Sequence, residues 1–177
     1  MAKLVDNVIT YGASGAFAGQ FVFRRVNGKV FICKMPGPRS SAPTAGELAN
    51  RERFAFANAY ATAAVNNVQL KAIYQAAARP GQSAHNRAFR DAFNAPRVTQ
   101  LHIENGMLKI RAVDDFRVVK VMVKVLNEYG FEEETGEAAL SSGNVWWGYR
   151  LRGDVAGKTV LVAAYDLAGN AGHMDFK

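Results

Sequence analysis

Residues 159–176, TVLVAAYDLAGNAGHMDF, decide how the chain is read. Val160, Val162 and Ala164 alternate with Thr159, Leu161, Ala163 and Tyr165, the period of a strand with two distinct faces. Residues 166–172 then supply Asp, Asn, Ala and Gly, the residue types that tolerate a tight reversal. Residues 173–176 return as a short last strand. The stretch is a hairpin, and the chain before it supplies further strands.

Those strands are found by working back along the chain. In residues 145–152, Val145, Trp147, Tyr149 and Leu151 alternate with Trp146, Gly148, Arg150 and Arg152. This places Trp147 in the core and Trp146 on the outer face. Val119, Val121, Val123 and Val125 occupy every second position of the strand before, the pattern of a buried sheet face. Between these two runs, acidic residues 131–136 are expected to form a polar edge or loop. Earlier still, residues 98–103 and 107–111 flank Asn105-Gly106, a strong hairpin signal, with Leu101, Ile103, Leu108 and Ile110 facing in. Roughly seven short strands with no helix between them predict a two-sheet sandwich.

Before Pro96 the period changes to that of helices. Thr44-Ala-Gly-Glu47 has capping-box spacing, and an alanine-rich helix over 45–65 should follow, bulked by Phe54, Phe56 and Tyr60. Asn66-Asn67 breaks or bends it. A second helix over 68–78 stops at Pro80-Gly81, and a third over 83–93 carries Phe89 and Phe93 on one stripe. Residues 1–45 read as an extended basic arm, punctuated by Gly12, Gly15 and Gly19. Within it, Asn27-Gly28 predicts a two-stranded ribbon over 21–26 and 29–33, and the Pro-rich residues 35–43 form a linker. The expected organisation is α+β: arm with a β-hairpin (1–45), helical region (46–96) and β-sandwich (97–177).

The charge is unevenly distributed. Residues 1–97 carry a net +9 and residues 98–177 a net −2, so the first half is suited to an acidic partner. No apolar run approaches the ~20 residues that cross a bilayer, so no membrane partner is expected, and the N-terminus does not read as a secretory signal. Single Cys33 allows neither an internal disulfide nor a multi-cysteine metal site. His85, His102 and His173 lie far apart without ligand-spaced partners, and no nucleophile or phosphate-loop motif is present. Asp114 and Asp115, with Asp166 and Asn170, could supply oxygen ligands for calcium. The preferred reading is that they are turn residues bonded to their own backbone. Neither catalysis, nor a metal, nor a cofactor is expected.

Two resemblances refine this outline. Through residues 119–125 and Tyr165-Asp-Leu-Ala-Gly-Asn170, residues 98–177 resemble bacterial immunoglobulin-like modules, which implies an immunoglobulin-like sandwich that binds or joins. Residues 12–60 resemble the start of a family of uncharacterised proteins from Bacteroidetes and their phages. The Gly-punctuated N-terminus, the ribbon at Asn27-Gly28-Lys29, the Pro-containing stretch and Arg51-Glu-Arg-Phe54 carry that resemblance. Such sandwiches usually work outside cells, whereas this chain shows no export signal. Virion proteins, made in the host cytoplasm and released by lysis, meet both conditions.

The expected function is therefore that of a virion structural protein, an auxiliary or decorating capsid component of a tailed phage. Its partners would be other virion proteins such as the major capsid protein, in a multimeric assembly. Phe21, Phe23, Arg24, Arg25, Lys29, Phe31 and Lys34 are expected to bind a neighbouring subunit, and Trp146 to be a surface contact. The alternatives are a bacterial surface or carbohydrate-binding module using Trp146, and a nucleic-acid-binding protein using the basic first half.

Overall fold

Residues 2–4, 8–26, 28–38, 41–141, 143 and 146–176 are described by a computed structural model of the chain. Among them are three α-helices and three four-stranded antiparallel sheets, an α+β architecture. The chain divides into two compact units, residues 1–47 and 48–177.

The first unit is a sheet. Strands β1 (Ala2–Leu4), β2 (Gly15–Phe17), β3 (Phe21–Val26) and β4 (Lys29–Lys34) lie in the order β1-β4-β3-β2. Val26 pairs with Lys29 around a two-residue connection in which Gly28 has φ 76°, as a type I′ turn requires. Asn27 of that turn lies outside the described residues, as do Arg39 and Ser40 of the linker. The ribbon is flanked by two strands that the sequence pattern does not reveal. One reason is local: Ala18 and Gly19 both take positive φ, and the Gln20 amide donates to the Phe17 carbonyl at 3.0 Å. What reads as punctuation of an arm is a reversal between β2 and β3.

The second unit begins within helix α1 (Ala45–Asn66) and continues through α2 (Val68–Ala76) and α3 (Ala84–Phe93). Each helix starts at a side-chain cap. Thr44 and Glu47 exchange bonds, with the Thr44 amide donating to Glu47 Oε2 at 2.8 Å and the Glu47 amide to Thr44 Oγ1 at 3.3 Å. Asn67 Oδ1 accepts from the Gln69 and Leu70 amides, and Ser83 Oγ from the Asn86 amide. Ala57, Ala61, Ala64, Ala84 and Ala88 are buried, so the helices approach closely around Tyr74, which is fully enclosed.

Strands β5 (Arg97–Glu104), β6 (Met107–Val113), β9 (Ala139–Leu140) and β10 (Trp147–Arg150) form one sheet in the order β5-β6-β10-β9. Strands β7 (Val118–Leu126), β8 (Glu132–Glu137), β11 (Thr159–Asp166) and β12 (Ala171–Phe176) form the other, ordered β12-β11-β7-β8. Leu108, Ile110, Trp147 and Tyr149 from the first meet Val121, Val123, Val125, Val160, Val162 and Ala164 from the second in one buried core. The arrangement is sandwich-like.

Two expectations need correction here, and of the edge or loop expected over 131–136 the structure shows the edge. Val119 is 41% exposed although the alternation places it inside. Pairing steps from Tyr165–Lys120 to Asp166–Val118, leaving Val119 as the extra residue of a bulge, and Val118 packs on the core in its place. Ile103 pairs with buried Leu108 and shares its face, yet it is 37% exposed because β5 is the edge strand of its sheet. Residues 132–137 form a paired strand, β8, at the sheet edge. Its outward Glu132 pairs with Lys124 at 2.8 Å, while buried Glu134 accepts from the Tyr149 hydroxyl at 2.8 Å and from the Arg152 amide at 3.2 Å.

That buried acceptor fixes the Tyr149 ring. A Cβ at Gly136, two residues along β8, would lie 2.6 Å from Tyr149 Cε2 and 2.8 Å from its hydroxyl. The ring cannot move aside without giving up its bond to Glu134. Gly136→Ala is therefore expected to cost ~1–3 kcal/mol as an overpacked site, read from the midpoint of urea unfolding. An unchanged midpoint would show that the ring is not held.

Candidate functional site

Helix α3 carries an unusual residue on its buried face. Ala84, Ala88, Asp91 and Ala92 share that face at helical spacing, and Asp91 has no exposed surface. Asp114 comes from the turn between β6 and β7, where its Oδ2 accepts from the Phe116 amide at 2.8 Å and the Arg117 amide at 3.0 Å. Asp166 continues the inward parity of Val160, Val162 and Ala164 at the end of β11 and is 2% exposed. One carboxylate oxygen from each of the three lies within 4.8 Å of the others.

Donors hold these carboxylates in place from behind. The Tyr74 hydroxyl donates to Asp91 Oδ2 at 2.5 Å. The Tyr60 hydroxyl lies 2.9 Å from that of Tyr74 and donates to the Leu167 carbonyl at 3.2 Å. Asn170 grips Asp166 with its backbone amide on Oδ1 and its side-chain amide on Oδ2, both at 2.7 Å. The same side-chain amide reaches the Ala92 carbonyl at 3.2 Å, tying the β11–β12 turn to the end of α3. Two oxygens are left over: Asp91 Oδ1 and Asp114 Oδ1 are buried without a hydrogen-bond donor.

The energetics follow from that crowding. Burial, reinforced by the neighbouring charges of Asp114 and Asp166 and opposed by the Tyr74 hydrogen bond, pushes the Asp91 carboxyl up to about 7. Burial also raises Asp166, against the bonds from Asn170. Tyr74 is raised by burial and by its own bond to Asp91. Asp91 and Asp166 are thus both held above the usual carboxylate range.

Of the four residues with calcium-type oxygens in the sequence, the structure gathers Asp114 and Asp166 and turns Asp115 away. Asp115 pairs with Arg90 at 3.0 Å and accepts from Asn94 Nδ2 at 2.7 Å, which lowers its carboxyl below the usual range. The Asn170 side-chain amide acts as a donor. Asp91 takes the vacated place, and sequence reasoning missed it. The signal was present, since Asp91 follows Ala84 and Ala88 at helix-face spacing, but a single acid among alanines has no motif.

The residues expected to bind a neighbouring subunit lie on two faces. Strand pairing places Phe21, Phe23, Arg25 and Lys34 on one side of the first unit's sheet, with Arg24, Lys29 and Phe31 on the other. Phe17 joins the first group, its ring stacked 5.7 Å from Phe21 and set edge-on to Phe23 at 6.4 Å. Trp146 is half-buried just before β10, and its carbonyl accepts from the Ser141 amide at 2.8 Å. Val145 lies outside the described residues. His85, His102 and His173 fall on α3, β5 and β12 respectively.

A cleft of about 660 Å3 on the second unit is lined by Arg53, Arg90, Arg97, Asp114 and Asp115. Two of its arginines are engaged. Arg53 donates to the Phe93 carbonyl at 2.8 Å with its guanidinium over the Phe93 ring, and Arg90 pairs with Asp115. Neither is presented as an isolated cation for a phosphate backbone.

No family model matches the chain, and no curated protein matches it. Among solved structures it is similar to an engineered protein whose crystal structure was determined at 1.98 Å, with 19% identity and a TM-score of 0.33. The similarity covers 51% of this chain and 21% of that protein, so the chain spans about a fifth of its length.

Proposed function

We propose that the chain is a structural component of a virion, an auxiliary or decorating protein of a tailed-phage capsid, whose immunoglobulin-like sandwich is attached through the N-terminal sheet. One observation carries this reading. Among residues 10–26, 28–38 and 41–47 the first unit has no buried side chain, although Phe17, Phe21, Phe23, Phe31 and Ile32 give it apolar surface on both faces. A four-stranded sheet without a covered face is poorly stabilised alone. Neighbouring virion subunits would supply the missing core, and Arg24, Arg25, Lys29 and Lys34 would meet their acidic groups. The division of aromatics and cations between the two faces favours a sheet gripped from both sides. The second unit has its own core and does not depend on such contacts.

The test compares hydrogen exchange in the dilute chain with that in particles purified from a lysate of cells carrying the gene. Residues 20–34 are expected to exchange rapidly in the free chain and slowly in the particle, with the chain at a fixed ratio to the major capsid protein. Added salt should weaken attachment by screening the exposed charges. Absence of the chain from purified particles would end the reading. So would equal protection of residues 20–34 in both samples.

A further inference from the structure

We propose that Asp91, Asp114 and Asp166 bind one divalent cation of the calcium type, which clips helix α3 to the turns at β6–β7 and β11–β12 of the sandwich. The first argument is the orphaned oxygens. Asp91 is fully enclosed, and its Oδ1, like Asp114 Oδ1, has no donor, while one oxygen from each of the three acids lies within 4.8 Å of the other two. Buried acceptors are nearly always satisfied, so a donor or an ion belongs between them. Among the described residues the ion pairs of Lys and Arg go to other carboxylates, so no side-chain cation fills that place.

The second argument is orientation. Asp91 and Asp114 are fixed through their other oxygens by Tyr74 and by the Phe116 and Arg117 amides, and Asp166 is fixed by Asn170, which donates to both of its oxygens. Carboxylates that ligate metals are held in the same manner by outer donors. The third is chemistry. An all-oxygen, carboxylate-rich donor set selects hard cations over zinc or copper. Calcium suits it better than magnesium, because donors brought from three separate elements and completed by carbonyls or water fit its irregular coordination. Asp114 is only half-buried and lines the surface cleft beside Arg97, which gives an ion a route from solvent. The competing occupant is a proton shared between Asp91 and Asp114.

The experiment uses the full chain stripped with a chelator and titrated with calcium chloride by calorimetry, with terbium chloride luminescence as a second readout. One ion per chain is expected. The unfolding midpoint should rise on the order of 5–10 °C at free calcium about 100-fold above Kd. Asp114→Asn, at the most exposed ligand, should weaken binding at least about tenfold, as loss of one charged ligand, while leaving the chain folded. Asp91→Asn should do the same and serves as the second variant. Absence of heat and of a midpoint shift with millimolar calcium or magnesium in the unmodified chain would overturn the proposal in favour of the shared proton. Calcium binding of unchanged affinity in both variants would place the ion elsewhere and overturn it too. Neither result touches the assembly reading, which rests on the other unit.

Discussion

Trp147→Ala lowers the stability of the second unit by ~3–5 kcal/mol, the range for a large aromatic deleted from a packed core. Trp147 is 7% exposed, pairs with Ile110 on one side and Leu140 on the other, and belongs to the cluster of Leu108, Val121 and Val162. Its neighbour Trp146 is half-buried and outside that cluster, so Trp146→Ala is expected to cost much less. Urea unfolding followed by far-ultraviolet circular dichroism measures both without relying on the fluorophore removed. A larger loss at Trp146 would mean that β10 is set one residue out of register, because a single slip exchanges the two faces.

The second large effect is expected where no side chain exists. A Cβ at Gly172 would lie 1.8 Å from the Pro96 carbonyl oxygen and 2.7 Å from its carbon. The obstacle is backbone, and Pro96 is itself fully buried, so no rotamer change relieves the clash. Gly172→Ala must push β12 away from the junction of α3 and β5, and the Asn170 bond to the Ala92 carbonyl stretches with it. A loss of about 3 kcal/mol is expected, at the upper end of the overpacking range. Gly169→Ala, at φ 89° with nothing within 4 Å of its Cβ, should show only the smaller strain of a left-handed alanine. Equal losses in the two variants would show that Gly172 is a flexible position and the close approach to Pro96 is relaxed in solution.

That contact also explains what was legible in the sequence. Helix caps and strand parities are local, so α1, α2, α3 and the valine face of β7 could be read from spacing within a few residues. The change of period at Pro96 was equally plain, yet it does not mark the edge of the compact unit, which runs from residue 48. Pro96 against Gly172 and Asn170 against Ala92 join segments more than 70 residues apart, and no periodicity reports such pairs. The Val119 bulge was hidden for a related reason, since the extra residue is defined only against its partner on β11. Strand β2 was hidden because Gly15 and Ala16 have the composition of a linker. At the acidic centre, Asp166 was recoverable from the parity of Val160 and Val162, and Asp91 from the alanine face of α3. Their convergence on Asp114 was not, because three elements must first meet.

The hydrogen bond from Tyr60 to the Leu167 carbonyl has a consequence for the ribosome. It spans 107 residues, so the helical layer is synthesised long before the strand turn that completes its polar cluster. At the usual ~5–20 residues per second of translation, the nascent helices wait roughly 5–20 s with the Tyr60–Tyr74–Asp91 chain unfinished. During that interval the surfaces around Tyr74 lack Phe116 and Leu167, which pack against them in the folded chain. Slower translation over residues 68–160 would lengthen the exposure, so codon choice in that interval should influence yield without altering the folded product.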